Sequence, residues 1–151
     1  MRLLGRQEQF MFTAITTAAL SHAERGKVGI VAVKDNRIIA QGYNGRPAGL
    51  DNKCEFDDID KTKPDVLHAE ENLAAWAARE GIQLKGSECY ITRTPCRNCA
   101  AILVQCGITK LYWLTEHPHG DGLPLLTEAG IPHEQLDLGN KINFELPEKY
   151  L

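Results

Sequence analysis

The sequence predicts a single α/β domain in which a mixed five-stranded sheet carries helices on both faces, an α-β-α sandwich. Three observations predict it. Short β-branched apolar runs alternate with amphipathic or alanine-rich stretches in the order α-β-β-α-β-α-β-α-β. A chain of 151 residues, 43% hydrophobic and 25% charged, is the right size for one core. No internal repeat or low-complexity tract interrupts the pattern.

In chain order, Phe10, Met11, Ala14, Ile15, Ala18 and Ala19 fall on one face of a helix expected from Gln7 to about Ala23. Val28 to Val33 is an apolar strand, Lys34-Asp35-Asn36 a turn, and Arg37 to Tyr43 a second strand, which together make a hairpin. From Asn44 to Asp65, glycines, prolines and a cluster of acids stop regular structure for roughly twenty residues, longer than an ordinary connection and typical of functional loops. The alanine-rich stretch from Ala69 to Arg79 is a helix closed by Gly81.

Cys89 to Arg93 reads as a third strand. Pro95 stands where the next helix begins, and Arg97 to Gln105 continues it as far as Gly107. Ile108 to Leu114 is a fourth strand, Gly122 to Ala129 a short helix, and His133 to Leu138 a last strand. The domain is therefore expected to span residues 1–138. The weakly patterned tail from Gly139 to Leu151 is expected to pack across the body or a neighbouring subunit.

Charge narrows the function. A net charge of −3 and a sequence pI of about 5.9 lack the basic footprint that a nucleic-acid backbone requires, and favour a small charged substrate. The five cysteines, Cys54, Cys89, Cys96, Cys99 and Cys106, and the absence of an apolar signal core after Met1 point to a reducing interior, so the expected location is the cytoplasm. No run approaches the ~18 apolar residues of a membrane span.

The chemistry concentrates in two segments, His68-Ala69-Glu70 and Pro95-Cys96-Arg97-Asn98-Cys99, each at the start of an expected helix. Two thiolates three positions apart in a first helical turn point the same way, and one imidazole from a neighbouring helix completes three zinc ligands. A fourth position left open is what a catalytic zinc needs; a structural zinc usually closes with four protein ligands. Helix N-termini favour the thiolates, and a bound zinc brings the pKa of water towards ~7. Glu70, two positions after the histidine, is placed to face that water and to serve as both acid and base. A lone Cys-x-x-Cys is equally a structural zinc knuckle or a redox pair. The joint pattern is the signature of zinc-dependent base deaminases.

Four segments then carry a family resemblance: Arg25-Gly26-Lys27-Val28-Gly29, Gly42 to Gly49, His68 to Asn72, and Tyr90 to Ala100. From about Arg25 to Leu138 the chain resembles the deoxycytidylate (dCMP) deaminases of the cytidine deaminase superfamily, many of them from bacteriophages. Histidine as first ligand sets it apart from ordinary cytidine deaminases and leaves tRNA adenosine, guanine and riboflavin-pathway deaminases as relatives with the same ligands. The resemblance implies hydrolysis of dCMP to dUMP and ammonia, feeding thymidylate synthesis, with zinc on His68, Cys96 and Cys99 and Glu70 as the proton shuttle.

It further implies that Asn44 holds the sugar, that Ala69, Thr94 and Pro95 line the base site with backbone near Thr94 and Pro95 receiving the exocyclic amine, and that Arg25 and Lys27 contact phosphate. The alternative for that basic pair is a solvated surface. Family members are commonly homo-hexamers activated by dCTP and inhibited by dTTP, bound with magnesium at the loop that here contains Gly42, Tyr43, Gly45, Arg46 and Gly49. The alternative is a simple turn after the hairpin.

The chain also departs from the pattern. Where many relatives place tyrosines after the fourth strand, it reads Thr115-Glu116-His117-Pro118-His119-Gly120-Asp121-Gly122, with His117 or His119 as phosphate contacts or as plain surface residues. A second zinc at Cys54 is not expected, because Ala23 and Glu24 occupy its partner positions. Cys89 and Cys106 read as small buried hydrophobes. The competing functions are a deaminase of another base or nucleotide, such as a tRNA adenosine or a modified dCMP, and a zinc-bound nucleotide sensor without turnover. The retained Glu70 argues against the sensor.

Overall fold

The computed structural model of the protein describes residues 3–139. Its elements are α1 (Arg6–Ala18), β1 (Gly29–Lys34), β2 (Arg37–Tyr43), α2 (Ala69–Glu80), β3 (Glu88–Arg93), α3 (Arg97–Gln105), β4 (Lys110–Thr115), α4 (Leu123–Glu128) and β5 (His133–Gln135). The sheet order is β2-β1-β3-β4-β5. β1 runs antiparallel to both β2 and β3, while β3, β4 and β5 are mutually parallel, so the sheet is mixed as expected. The expected tail beyond Gly139 lies outside the described residues.

The two faces follow from the period-2 alternation of strand side chains. Ile30 and Ala32 of β1, with Cys89 and Ile91 of β3 and Leu111 and Trp113 of β4, meet Leu73, Leu103 and Leu126 from α2, α3 and α4. Val31 and Val33, with Tyr90 and Tyr112, meet Phe10, Met11 and Ala14 of α1 on the other face. Because both faces are covered, β1 is an almost unbroken apolar run. The β1–β2 hairpin turns on Asp35 and Asn36, whose φ angles of 50° and 59° are the left-handed pair a tight two-residue hairpin requires.

Two glycines let helices come close to the sheet. A Cβ at Gly29 would lie 2.1 Å from the Ala14 carbonyl oxygen of α1, and one at Gly42 would lie 2.5 Å from the Ala69 carbonyl oxygen of α2. Gly42 thus sits within the β1–β2 ladder, opposite Ile30, as a packing residue.

The boundaries differ from expectation at three places. The first helix ends at Ala18 and not near Ala23, because Leu20 and Ser21 turn back onto the Thr17 and Ala18 carbonyls and the Ser21 hydroxyl donates to the Asn44 carbonyl at 2.7 Å. Ala19, expected on the apolar face, is exposed at the cap. β4 begins at Lys110 and not at Ile108, since the amides of Ile108 and Thr109 close the corner onto Leu103 and Ser87. β5 stops at Gln135, after which Leu136 and Leu138 drop against the α1 side of the core.

The segment from Asn44 to Leu67 is irregular yet tied. Gly45 pairs with Leu67 and Glu55 with Thr62, so residues 54–63 fold back as a short flap. Arg46 is gripped by Asp51 at 2.6 Å and Asp65 at 2.8 Å.

The close approach at Gly29 yields a test. Gly29→Ala drives a methyl into helix backbone and is expected to cost at least about 2 kcal/mol. Gly45→Ala meets nothing nearer than 4.0 Å and should stay within about 0.5 kcal/mol of the parent in the same urea titration.

Candidate active site

The functional side chains converge where α2 and α3 start, at the carboxyl end of the parallel β3–β4 pair. His68 is the N-cap of α2, its extended backbone (φ −68°, ψ 160°) held by its own N–H donating to the Glu71 carboxylate at 2.7 Å. Cys96 is the N-cap of α3 with nearly the same dihedrals (φ −70°, ψ 166°), and its Sγ accepts from the Cys99 N–H. His68, at the end of the irregular segment, and Cys96, after β3, therefore enter their helices in one conformation and present their side chains beside each other.

His68 Nδ1 lies 3.7 Å from Cys96 Sγ and 3.3 Å from Cys99 Sγ. A tetrahedral zinc with ordinary Zn–S and Zn–N bonds spaces a sulfur and a nitrogen ligand about 3.6 Å apart. The three donors fit that ion without rearrangement, and no other group of three metal-binding side chains occurs among the described residues. Cys54, buried in the loop, gains no such neighbours.

The donor set also calls for a cation. Burial, reinforced by the negative charges of Glu70 and Cys96, pushes the Cys99 thiol far above its ordinary range. Only a metal ion makes its thiolate stable at neutral pH. Glu70, in the first turn of α2, is 4% exposed, and desolvation raises its carboxyl above the usual value. A buried carboxyl at the wall of a cleft is a group poised to exchange protons.

That cleft has a volume of about 670 Å³, within the range of small-molecule sites. Its floor is His68, Ala69, Glu70, Thr94 and Cys96. Arg25, Gly26 and Asn44 form one wall, the flap residues Glu55, Lys61 and Lys63 another, and Arg93, His117 and His119 the rim. Asn44 accepts from the Val28 N–H at 2.9 Å and donates to the Gly26 carbonyl at 2.8 Å, so its amide fixes the wall it stands in. Glu55 does the same for the preceding turn, accepting from the Glu24 and Arg25 amides at 3.0 and 3.2 Å.

The remaining expected contacts separate. Thr94 lines the cleft, whereas Pro95 is fully buried behind it with its carbonyl accepting from Gly122 at 3.0 Å. Arg25 reaches the cleft but pairs with Asp60. Lys27, expected to contact phosphate, is not among the residues lining the cleft, and its ammonium turns back to the Ser21 carbonyl. Of the five positions expected to bind a regulatory nucleotide, Gly42 is committed to packing, the Tyr43 carbonyl accepts from Asn72, and Arg46 is clamped by its two aspartates. Gly49 adopts φ +90°, with open space where a side chain would stand, and Gly45 is similarly open.

Four charged lining residues escaped the sequence reading: Arg93, Glu55, Lys61 and Lys63. Arg93 carried a signal, a cation closing an apolar strand just before the Thr94-Pro95-Cys96 turn. The others sit in a loop whose fold-back has no local signature.

The model of the cytidine and deoxycytidylate deaminase zinc-binding region matches residues 5–115. The deoxycytidylate deaminase of Mycobacterium phage D29 is 34% identical over 122 residues, covering 72% of this chain and 94% of that protein. An uncharacterized deaminase of Aliivibrio fischeri is 41% identical over 86 residues, covering 57% of this chain and 56% of that one. Among solved structures, the dCMP deaminase of cyanophage S-TIM5, in complex with dCMP and dUMP, superposes with a TM-score of 0.82 at 37% identity, over 86% of this chain and 96% of that chain.

The geometry predicts the metal content. Purified protein should carry about one zinc per chain by elemental analysis, and Cys99→Ser less than about a tenth of that. Cys106→Ser, away from the triangle, should keep it. Two zinc ions per chain would contradict the single triangle.

Proposed function

The chain belongs to the family of cytidine and deoxycytidylate deaminases that share this zinc-binding region, and on that premise we propose that it converts dCMP and water to dUMP and ammonia with a catalytic zinc held by His68, Cys96 and Cys99. The observation that carries the reading is the His68–Cys96–Cys99 triangle with the buried Glu70 carboxyl beside it, at the floor of a nucleotide-sized cleft. The phage relatives, named for the same reaction, support it.

Zinc, when bound, supplies Lewis acidity that activates water for attack on the ring carbon bearing the amino group. Glu70 takes one proton from the water and delivers it to ring nitrogen 3, then takes the second from the hydroxyl now on the ring carbon and passes it to the departing amine, so a single carboxylate closes the proton cycle. Its burial suits this, since desolvation narrows the gap between its charged and neutral forms. The Thr94 carbonyl accepts no hydrogen bond from the described residues and is free to receive the exocyclic amine. Asn44 has used one of its two amide hydrogens on Gly26, and the second is available to a sugar hydroxyl.

The proposed regulation, dCTP activating and dTTP inhibiting with magnesium at the Gly42 to Gly49 loop of a homo-hexamer, draws on the open Cβ positions of Gly45 and Gly49. Arg46 would exchange Asp51 and Asp65 for the triphosphate. No described helix is long and apolar enough to cross a membrane, and a cytoplasmic setting suits a reduced Cys96–Cys99 pair.

Incubation with dCMP should erode the pyrimidine absorbance of cytosine; unchanged absorbance with zinc bound and dCTP present sinks the reading. Glu70→Gln should lower kcat by about 10²- to 10⁴-fold while its zinc content stays at the parent's level. Retained turnover in that variant would remove Glu70 from the proton cycle.

A further inference from the structure

The rim of the cleft holds an unusual cation. Arg93 is the last residue of β3 and is half-buried, yet among the described residues its guanidinium makes no hydrogen bond and no ion pair. Its Nη1 stands 2.7 Å from where a Cβ on Gly26 would be, so the group is packed against backbone and not sweeping through solvent. The other cations nearby are engaged or exposed: Arg25 with Asp60, Lys27 with Ser21, Lys63 leaning 3.8 Å towards Asp51, and Lys61 out in water. A guanidinium drawn partly from water without a partner is costly, and the arrangement is completed by an anion.

His117 stands on the same rim with its orientation fixed. Its N–H donates to Thr94 Oγ1 at 2.9 Å, which ties it to the segment leading into Cys96. Its ring Nδ1 accepts the His119 N–H at 3.2 Å. A ring nitrogen that accepts carries no proton, so the neutral imidazole bears its hydrogen on Nε2, on the ring edge away from that turn. Burial first, then the charge of Arg93, keeps this imidazole neutral by holding it below its ordinary pKa. Gly120 seals the turn, since a Cβ there would lie 1.9 Å from Thr94 Oγ1.

We propose that Arg93 and His117 form the phosphate subsite of this cleft, gripping the 5′-phosphate of a nucleoside monophosphate between a planar guanidinium fork and one imidazole N–H donor. The proposal rests on the deaminase reading of the same cleft and assigns to these two residues the discrimination of nucleotide from nucleoside. Guanidinium geometry matches two phosphate oxygens at once, and the imidazole adds a third, directional contact. Glu55, the flap carboxylate that lines the cleft, accepts from the Glu24 and Arg25 amides through Oε1.

The test is equilibrium binding to the zinc-loaded chain by calorimetry, which needs no turnover. Arg93→Gln should weaken dUMP about 10- to 100-fold, the range of charge-assisted hydrogen bonds, and leave deoxyuridine unchanged. Arg93→Lys should recover part of the loss, and His117→Ala should weaken dUMP several-fold. Inorganic phosphate should compete with dUMP on the parent protein and not on Arg93→Gln. Equal losses for dUMP and deoxyuridine, or no loss for either, overturn the subsite. If Arg93→Gln does not fold, the parent decides: failure of phosphate to compete, or equal affinity for dUMP and deoxyuridine, overturns it. A protein that binds dUMP through Arg93 but leaves dCMP unchanged upholds the subsite and overturns the deaminase reading instead.

Discussion

The site depends on two helix N-termini being held side by side. His68 and Cys96 cap α2 and α3 with backbone angles that agree within a few degrees, and this matched entry into the two helices brings three donor atoms within 4.8 Å of one another. Two positive helix ends meet there, which favours thiolate and carboxylate. Burial of Cys99 and Glu70 works against that charge and is the larger effect, since both groups are pushed towards their neutral forms. A divalent cation held by His68, Cys96 and Cys99 would resolve the conflict by stabilising the thiolates, and the folded site and the metal would then stabilise each other.

What surrounds that abutment is a set of loops tied by polar side chains to backbone. Asn44 bonds residues 26 and 28, Glu55 bonds 24 and 25, and Asp121 accepts from the Arg97 N–H at the first turn of α3 at 2.9 Å. Each satisfies backbone groups that the irregular segments would otherwise leave without partners. The cleft is thus tied together by hydrogen bonds, although its two walls contain no helix or named strand. Gly29 and Gly42 contribute from below, letting α1 and α2 sit closely enough for the loops above them to meet.

The metal triangle was legible in the sequence because its determinants are local. A three-residue thiol spacing and a two-residue histidine–glutamate spacing each fix direction within one helical turn, and only their juxtaposition needs the fold. The sheet was legible because both its faces impose a period on the strands. The proposed phosphate end was not. Lys27 and Arg93 are both cations at strand ends, and what separates them is a carbonyl at Ser21 and the bare backbone at Gly26, 67 positions before Arg93. The end of α1 was missed for the same reason, since it is set by Asn44, far along the chain, capturing Ser21. Contacts across such separations leave no periodic trace.

The charge balance shows how composition misleads and what it conceals. The net charge of −3 reads as an acidic surface, yet many of the acids in the loop are bound to cations: Asp51 and Asp65 to Arg46, Asp57 to Lys53, Asp60 to Arg25. Pairs of this kind are exposed and contribute little to stability. Their effect is subtractive. Of the cations that line the cleft, Arg25 and Lys63 face aspartates and Lys61 is exposed, which leaves Arg93 as the half-buried cation, in a medium of lower dielectric, that no acid opposes among the described residues. A small dianion gains from that focus, whereas a polyanion with regularly spaced phosphates meets a surface on which Arg25 and Lys63 already face aspartates. The same acidic loop that lowers the overall charge thereby sharpens selectivity for a single phosphate.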